Sequence, residues 1–467
     1  MLEFASERRG RLVACILAFL VGPFGGIVTG SAHAADQVSD DDSETGCGSF
    51  LPVTDGSGSI VAWQSDCDPT GTNADASTEI FRATVGGAAA QLTSGTACSS
   101  TRPAISADGS RIAFESSCDL LPGGNADGNV EIFIWKSGTL SQITTTVACD
   151  NFAPSINGAG TFLAYDSNCI TANNTDGSYE IFRVSHNGGT PTQLTKETSG
   201  TCDSTSASIS ANGDLVAFDS DCDLTGQNED FAVEIFTVTS AGVVVQRTAG
   251  LDDSCSSLRP SMDAAGSIIA FQSDCDFSGT NPDRGEEIFT VKSGELPHQV
   301  TSVSDGVTCA NGEPRIASSG NFLVFSSYCA FGTTNNDGSV EVFQVGVGSY
   351  EGGILAVTGD VGCSSVSGGI DASGTTVVFD SDCDPTGGNG DGSVEAYRSS
   401  ACVCGAPATR KSPPKASDAL YTLRSSVGTS SCAACECDTD SSGSIGAADA
   451  LRVLKKAVGQ EIALTCP

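Results

Sequence analysis

Seven times along the chain an aliphatic residue, a small apolar one and an aromatic follow one another, with a serine two places beyond the aromatic. The copies are Val61-Ala62-Trp63, Ile112-Ala113-Phe114, Leu163-Ala164-Tyr165, Val216-Ala217-Phe218, Ile269-Ala270-Phe271, Leu323-Val324-Phe325 and Val377-Val378-Phe379. Apolar positions two apart mark a β-strand, whose side chains alternate between faces. The Ala or Val between them makes the second face apolar too, so each strand needs cover on both sides, as between stacked sheets. A glycine precedes every copy (Gly58, Gly109, Gly160, Gly213, Gly266, Gly320, Gly374), where a tight turn needs positive φ. Downstream, Glu-Ile-Phe (79–81, 131–133) opens a third strand in most copies, and Gln-Leu-Thr or Gln-Ile-Thr (91–93, 142–144) marks a fourth. Four short strands in each unit of about fifty residues, seven times over, predict an all-β fold: a seven-bladed β-propeller of four-stranded blades.

Cysteines sharpen the strand pairing. They stand twenty residues apart as Cys47/Cys67, Cys98/Cys118, Cys149/Cys169, Cys202/Cys222, Cys255/Cys275, Cys309/Cys329 and Cys363/Cys383, and the pairs recur every 51 to 54 residues. Opposed residues of an antiparallel hairpin have a constant index sum, and Cys98 with Cys118 centres on Asp108, beside the turn glycine Gly109. The two cysteines therefore face each other across the open end of the hairpin, within disulfide reach. Seven disulfides within the repeats are expected, each closing a loop of about twenty residues and stabilising by about 3 kcal/mol in the chain-entropy model.

The run RPAISADGSRIAFESSCD (102–119), with GNVEIF (128–133) and QIT (142–144), resembles the TolB-type, WD40-like propeller repeat, over residues 36 to about 400. This resemblance implies the same fold, with two departures. TolB itself has six blades where seven are counted here, and paired cysteines are no part of its usual motif. The seventh repeat ends at Glu395-Ala396-Tyr397 without its own fourth strand. Asp36-Gln37-Val38-Ser39 lies as far before Cys47 as His298-Gln299-Val300-Thr301 lies before Cys309, so the N-terminal residues are expected to complete the last blade and remove an open sheet edge.

Before each third strand stands an Asn-x-Asp-x-x-x-Glu motif: Asn73/Asp75/Glu79, Asn125/Asp127/Glu131, Asn174/Asp176/Glu180, Asn228/Asp230/Glu234, Asn281/Asp283/Glu287, Asn335/Asp337/Glu341 and Asn389/Asp391/Glu395. One amide carbonyl and two carboxylates are hard-cation ligands, but three fall short of the six to eight that calcium takes. The same residues can hold a turn by side chain to backbone hydrogen bonds, with Glu reaching a neighbouring strand. Repetition in every blade favours this second reading.

Arg8, Arg9 and Arg11, an apolar run from Leu12 to about Val28, and Ala32-His33-Ala34 have the layout of a secretory signal, taken as residues 1–34. Twenty cysteines remain without Cys15, an even number that in an exported chain points to disulfides. With 57 acids against 22 bases the net charge is −35, which repels nucleic acid and anionic membranes, and nothing after the signal is long and apolar enough to span a bilayer. A secreted, extracellular or periplasmic location follows.

The propeller is placed at 35–400, a Pro-rich basic linker at 401–415 and a small helical module at 416–467. In the module ASDALYTLRSSVG (416–428) is echoed by AADALRVLKKAVG (447–459). Before the second copy, Asp438, Asp440, Ser442, the Ser444 carbonyl and Asp449 fall at positions 1, 3, 5, 7 and 12 of an EF-hand-like loop, with Gly443 at the turn. The module resembles a dockerin type I repeat, which implies one bound calcium and a cohesin-like protein partner docking at Ala447 and Ala448. Its first loop (407–418) keeps only Asp418. The cysteines at 402, 404, 432, 435, 437 and 466 allow fifteen pairings, and sequence does not choose among them.

Catalytic motifs are scarce. His186 and His298 fall in variable loop or edge positions, and neither a G-x-S-x-G elbow nor an H-E-x-x-H helix occurs. The reading is an exported propeller that binds a protein or glycan ligand and is tethered through its C-terminus; the alternatives are a secreted glycan-active hydrolase or lyase and a structural or adhesive surface protein. Non-repeating charged or aromatic residues gathered at one mouth of the ring would separate the first two from the third.

Overall fold

A computed structural model describes residues 34–460, apart from 41–45, 197–201, 251–254, 304–308, 332–334, 336, 348–353, 401–413, 428–436, 438 and 441–443, together with 462 and 464. Residues 1–33 of the expected signal segment and five of the six C-terminal cysteines lie outside the described residues, whereas Ala34 is described.

Seven four-stranded antiparallel sheets form the ring. Blade 1 comprises Ser49–Thr54, Ile60–Ser65, Glu79–Thr84 and Ala90–Gln91, from the axis outward. In blade 7, Ser365–Ile370, Thr376–Ser381 and Glu395–Ser400 are followed by Ala34–Gln37 as fourth strand, with Asp36 opposite Arg398 and Gln37 opposite Tyr397. Arg398 fastens this seam, its Nη1 3.0 Å from Asp36 Oδ2 and its Nε donating to Gly58 O of blade 1 at 2.8 Å. Ser39 accepts the Ala396 N–H at 2.8 Å, as Thr93 accepts that of Ile80 at 2.9 Å in blade 1, so the seam repeats the bonding of an ordinary outer strand.

The core lies between blades, as two apolar faces per strand require. Ala113 and Ile134 of blade 2 pack with Leu163 and Tyr165 of blade 3, and Ala217 and Ile235 of blade 4 with Ile269 and Phe271 of blade 5. Within each blade the second-strand aromatic stacks on one from the third strand, Trp63 on Phe81 and Phe379 on Tyr397 among them, with centroids 5.6 to 6.0 Å apart.

All seven expected disulfides are present: Cys47–Cys67, Cys98–Cys118, Cys149–Cys169, Cys202–Cys222, Cys255–Cys275, Cys309–Cys329 and Cys363–Cys383, with Cα atoms 5.0 to 5.2 Å apart. The loops they lead into are not uniform, and Cys169 and Cys329 mark the two exceptions. In the other five blades an aspartate follows the second cysteine and accepts the N–H of the loop asparagine, as Asp68 does from Asn73 at 2.7 Å and Asp384 from Asn389 at 2.9 Å. Ile170 follows Cys169 and Ala330 follows Cys329, so neither loop has that acceptor. In blade 3 the Thr171 hydroxyl takes the Asn174 N–H instead, at 3.0 Å, and Cys169 is half-buried where Cys329 and most second cysteines are fully buried.

One expectation needs correcting. The constant index sum holds at the cysteine end of the hairpin (Ser100 opposite Ser116, Thr101 opposite Glu115) but rises by one at the turn end (Ala104 opposite Ala113, Ile105 opposite Ile112). A β-bulge at Arg102-Pro103 inserts the extra residue; Arg102 takes φ +52°, and Pro103 has no N–H to pair. The same bulge recurs at Leu51, Ala153, Ser206, Arg259 and Glu313, all with positive φ.

Helices α1 (Ala416–Ser426) and α2 (Ala447–Ala457) pack on each other at the C-terminus. Among the described residues no helix is long and apolar enough to cross a membrane.

Candidate functional site

The sevenfold Asn-x-Asp-x-x-x-Glu motif is absorbed by the fold. Asn73 Nδ2 donates to Cys67 O at 3.0 Å and Ser77 O at 2.8 Å, closing the turn, and Asn389 does the same with Cys383 and Ser393. The buried glutamate then ties strands together. Glu287 accepts from the Thr301 hydroxyl of the outer strand, from Val303 N at 2.7 Å and from Asn311 Nδ2 of the next blade at 2.9 Å. Among the described residues the candidate metal-holding groups are disulfide cysteines with one aspartate, such as Cys47, Cys67 and Asp66. Bonded to each other, these cysteines offer no thiolate.

The two ends of the central channel differ. At one end the turns after the inner strands join blade to blade through their backbones: Gly56 N to Ala107 O, Ala107 N to Gly158 O, Ala211 N to Ala264 O, Ala264 N to Ser318 O, Ser319 N to Ala372 O and Ala372 N back to Gly56 O, all 3.0 to 3.1 Å. Asn157 Nδ2 spans the remaining gap to Ala211 O at 3.0 Å. The collar carries small side chains, and with Ile105, Ile156, Ile209, Met262 and Ile370 it lines a cavity of about 120 Å³. A Cβ on Gly56 would stand 2.9 Å from Ala107 O, so the approach of the backbones needs glycine there.

At the other end lie the bulges, and here the repeats diverge. The bulge column holds Leu51, Arg102, Ala153, Ser206, Arg259 and Glu313, and two residues beyond Glu313 stands Arg315 where other blades carry Val53, Ala104, Gly369 or serine. In five blades the bulge N–H turns toward the preceding blade, where a polar residue of the second strand accepts it. Leu51 N donates to Asp380 (2.9 Å), Arg102 N to Gln64 (2.8 Å), Ala153 N to Glu115 (2.6 Å), Arg259 N to Asp219 (2.9 Å) and Glu313 N to Gln272 (3.1 Å). The bulge thus sets its side chain at the mouth while its backbone locks two blades.

Charge gathers there. Arg259 pairs with Glu313, whose other oxygen lies 3.5 Å from Arg315, and Arg102 lies 3.7 Å from Glu115 with over half of its side chain exposed. Burial first, then the like charge of Arg315, depresses the Arg259 guanidinium pKa. Burial raises the carboxyl groups of Glu115, Asp219 and Glu286, and pushes Asp380 up to about 7. Asp166 is raised well above the usual range, by burial and then by Glu115 and Asp219. Neither His186, beside Thr161 O at 3.2 Å, nor His298, on an outer strand, belongs to this mouth.

Of the five residues expected to hold calcium, Asp438 and Ser442 lie outside the described residues. Asp449 caps α2: Oδ2 accepts Gly446 N at 2.8 Å and Oδ1 accepts Thr439 N at 2.7 Å. Asp418 caps α1 in the same way, from Lys415 N at 2.7 Å, although its loop has no other carboxylate. The duplicated aspartate therefore serves the helix start whether or not an ion is bound. Cys437 is buried and disulfide-bonded.

No family model matches the sequence, and no curated protein matches it. Among solved structures, the oligogalacturonate lyase of Vibrio parahaemolyticus is similar in fold, at TM-score 0.53 and 12% identity over 81% of this chain and 98% of that one. An oligogalacturonate lyase in complex with manganese gives TM-score 0.50 and 13% identity over 79% and 96%. A putative TolB from Agrobacterium tumefaciens gives 0.41 and 18% over 69% and 94%. At such identities the likeness is one of fold. The chain is a seven-bladed, disulfide-stapled β-propeller with one collared end and one charged mouth.

Proposed function

We propose that this protein is an exported binding propeller that takes an oligosaccharide in the charged mouth of its channel and is tethered through its C-terminal helices. One observation carries the reading: the sevenfold copying breaks at a single mouth, where Arg102, Arg259, Glu313 and Arg315 replace the residues of the other blades. Sugar hydroxyls both donate and accept hydrogen bonds, so guanidinium forks beside carboxylates suit them, and the forks also match the carboxylate of an acidic sugar. Calorimetric titration of the purified protein with trigalacturonate and with cellotriose tests this. Micromolar to millimolar binding, tighter for the acidic sugar and weakened roughly tenfold or more in Arg259→Ala, is expected. Binding of neither sugar by the wild type overturns the reading, and release of new chain ends moves it to a glycan-active enzyme.

For the tether, support comes from the loop spacing and from a duplicated apolar face. Leu420 and Leu423 on α1 with Val427 just after it, and Leu451 and Leu454 on α2 with Val458 just after it, are all exposed, at matching positions. A cohesin-like protein is the partner proposed for this face. Three carboxylates, a hydroxyl and a carbonyl suit a hard cation, and Asp449 Oδ2, which accepts Gly446 N, keeps a further lone pair, while Oδ1 takes both the N–H and the hydroxyl of Thr439. Terbium luminescence of the full chain, displaced by calcium and lost in Asp438→Ala, is the expected signature of one ion; an unaffected Asp438→Ala signal refutes it.

A further inference from the structure

The junction between blades 3 and 4 breaks the rule that holds at its neighbours. In five other junctions a second-strand carboxylate or amide accepts the bulge N–H of the following blade, and in the sixth Ser326 Oγ accepts Ser367 N at 2.8 Å. Here the second-strand residue is Asp166 and the bulge residue is Ser206, yet no hydrogen bond joins them. Asp166 is 5% exposed, and its Oδ1 is buried with no hydrogen-bond donor among the described residues. Ser206 instead turns its hydroxyl to Asp219, which also accepts Thr205 Oγ1 at 2.6 Å. A buried carboxylate oxygen without a donor costs free energy that the other junctions avoid.

What surrounds Asp166 also departs from the other blades. Phe152 stands directly opposite it on the inner strand (Asn151–Ile156), so the two side chains share the sheet face that meets blade 4. Tyr179, just before the third strand, sets its ring 6.0 Å from that of Phe152, and its hydroxyl pKa is raised, by burial and then by the carboxylates of Asp150, Asp166 and Asp203. The same two positions hold Phe50 and Thr78 in blade 1, Thr101 and Val130 in blade 2, Thr205 and Val233 in blade 4, Leu258 and Glu286 in blade 5, Gly312 and Val340 in blade 6, and Val366 and Val394 in blade 7, so blade 3 alone pairs two aromatics there. Both aromatics are half-buried, so part of each ring remains open. An acceptor without a donor beside an aromatic pair has the complementarity of a pyranose, whose hydroxyls donate while its flat C–H face packs on a ring.

We propose that the wedge between blades 3 and 4 is a sugar subsite, in which Asp166 accepts a ring hydroxyl and Phe152 with Tyr179 takes the sugar's apolar face. This rests on the oligosaccharide reading of the mouth and deepens it by naming where one ring sits. Because the contact is to hydroxyls, it serves acidic and neutral sugars alike, whereas the arginines distinguish them.

The test is titration calorimetry of the full-length protein with trigalacturonate and cellotriose, comparing wild type, Asp166→Leu, Tyr179→Ala and Arg259→Ala. Asp166→Leu is expected to weaken both sugars roughly ten- to a hundredfold, and Tyr179→Ala roughly two- to tenfold. Arg259→Ala should act mainly on the acidic sugar. Removing a buried carboxylate whose Oδ1 meets no donor among the described residues should leave the melting temperature of Asp166→Leu at or above that of the wild type, which separates binding from structural support. Wild-type binding unchanged in Asp166→Leu and Tyr179→Ala but lost in Arg259→Ala overturns the subsite and leaves the mouth; binding of neither sugar by wild type overturns both. A marked fall in melting temperature in Asp166→Leu shows the residue to be structural and also overturns the subsite.

Discussion

Replacing Glu131 by Gln tests whether the sevenfold motif is a clasp or a metal site. Glu131 is fully buried and accepts the N–H of Thr146, its hydroxyl at 2.8 Å, Asn129 Nδ2 at 3.0 Å and Asn151 Nδ2 at 3.1 Å. In Gln the amide oxygen can keep the three donors on one side, but the new NH2 then faces Asn151 Nδ2, donor against donor. One buried donor left unpaired costs about 1–3 kcal/mol, and the three remaining bonds lose their charge assistance. The sum is about 2–4 kcal/mol. With an unfolding entropy of about 2.1 cal/mol/K per residue over roughly 370 propeller residues, that is a fall in Tm of about 3–5 °C. Scanning calorimetry of both proteins, with calcium and again with EDTA, is the assay. A clasp predicts the same difference in both buffers, even if the C-terminal module itself responds to calcium. A difference that collapses in EDTA would refute the argument, because the stability assigned to hydrogen bonds would then belong to an ion.

Two further outcomes follow from the same contacts. Cys98→Ala/Cys118→Ala removes a link closing a twenty-residue loop and should lower stability by about 3 kcal/mol, checked by denaturant midpoint; a loss under about 0.5 kcal/mol would contradict the chain-entropy account. Asp380 binds its proton more tightly folded than unfolded, so its stabilising contribution is full below about pH 4 and fades as pH rises to about 7. Asp380→Asn, which can still accept the Leu51 N–H, should therefore raise Tm at pH 8 and leave it little changed at pH 4; an equal shift at both would show that titration is not the cause.

The fold was legible because each of its determinants is local and repeated. The aliphatic and aromatic columns, the turn glycines and the twenty-residue cysteine spacing lie within a single copy, and even the seam could be placed because Asp36–Ser39 keeps the offset of an outer strand. The bulge was not legible. Arg102, Ala153 and Glu313 adopt positive φ without the Gly or Asn that usually announces it, because the N–H bond to the preceding blade holds them there. The mouth was missed for a related reason. Its residues come from different copies, Arg102 and Arg315 being more than two hundred positions apart, and each sits in a column that is bland elsewhere. Aligning the seven copies and asking where they disagree, four residues after the first cysteine, would have picked out Arg102, Arg259 and Glu313. The same comparison one place after the second cysteine would have set Cys169 and Cys329 apart by their missing aspartate. Asp166 has no such signal, since acids fill its column in other blades and only the missing partner distinguishes it.

The seam also bears on how the molecule carries load. The propeller's chain leaves toward the C-terminal helices from Glu395–Ser400, the third strand of blade 7. Without Ala34–Gln37 that strand would lie at the sheet's edge, and tension between a ligand in the channel and an anchor at the C-terminus would peel it away one hydrogen bond at a time. With the N-terminal strand beside it, the exit strand is gripped on both sides, and Arg398 ties it to Asp36 and Gly58 as well. Pulling must then shear two strand interfaces together, and in each blade the disulfide keeps twenty residues from paying out.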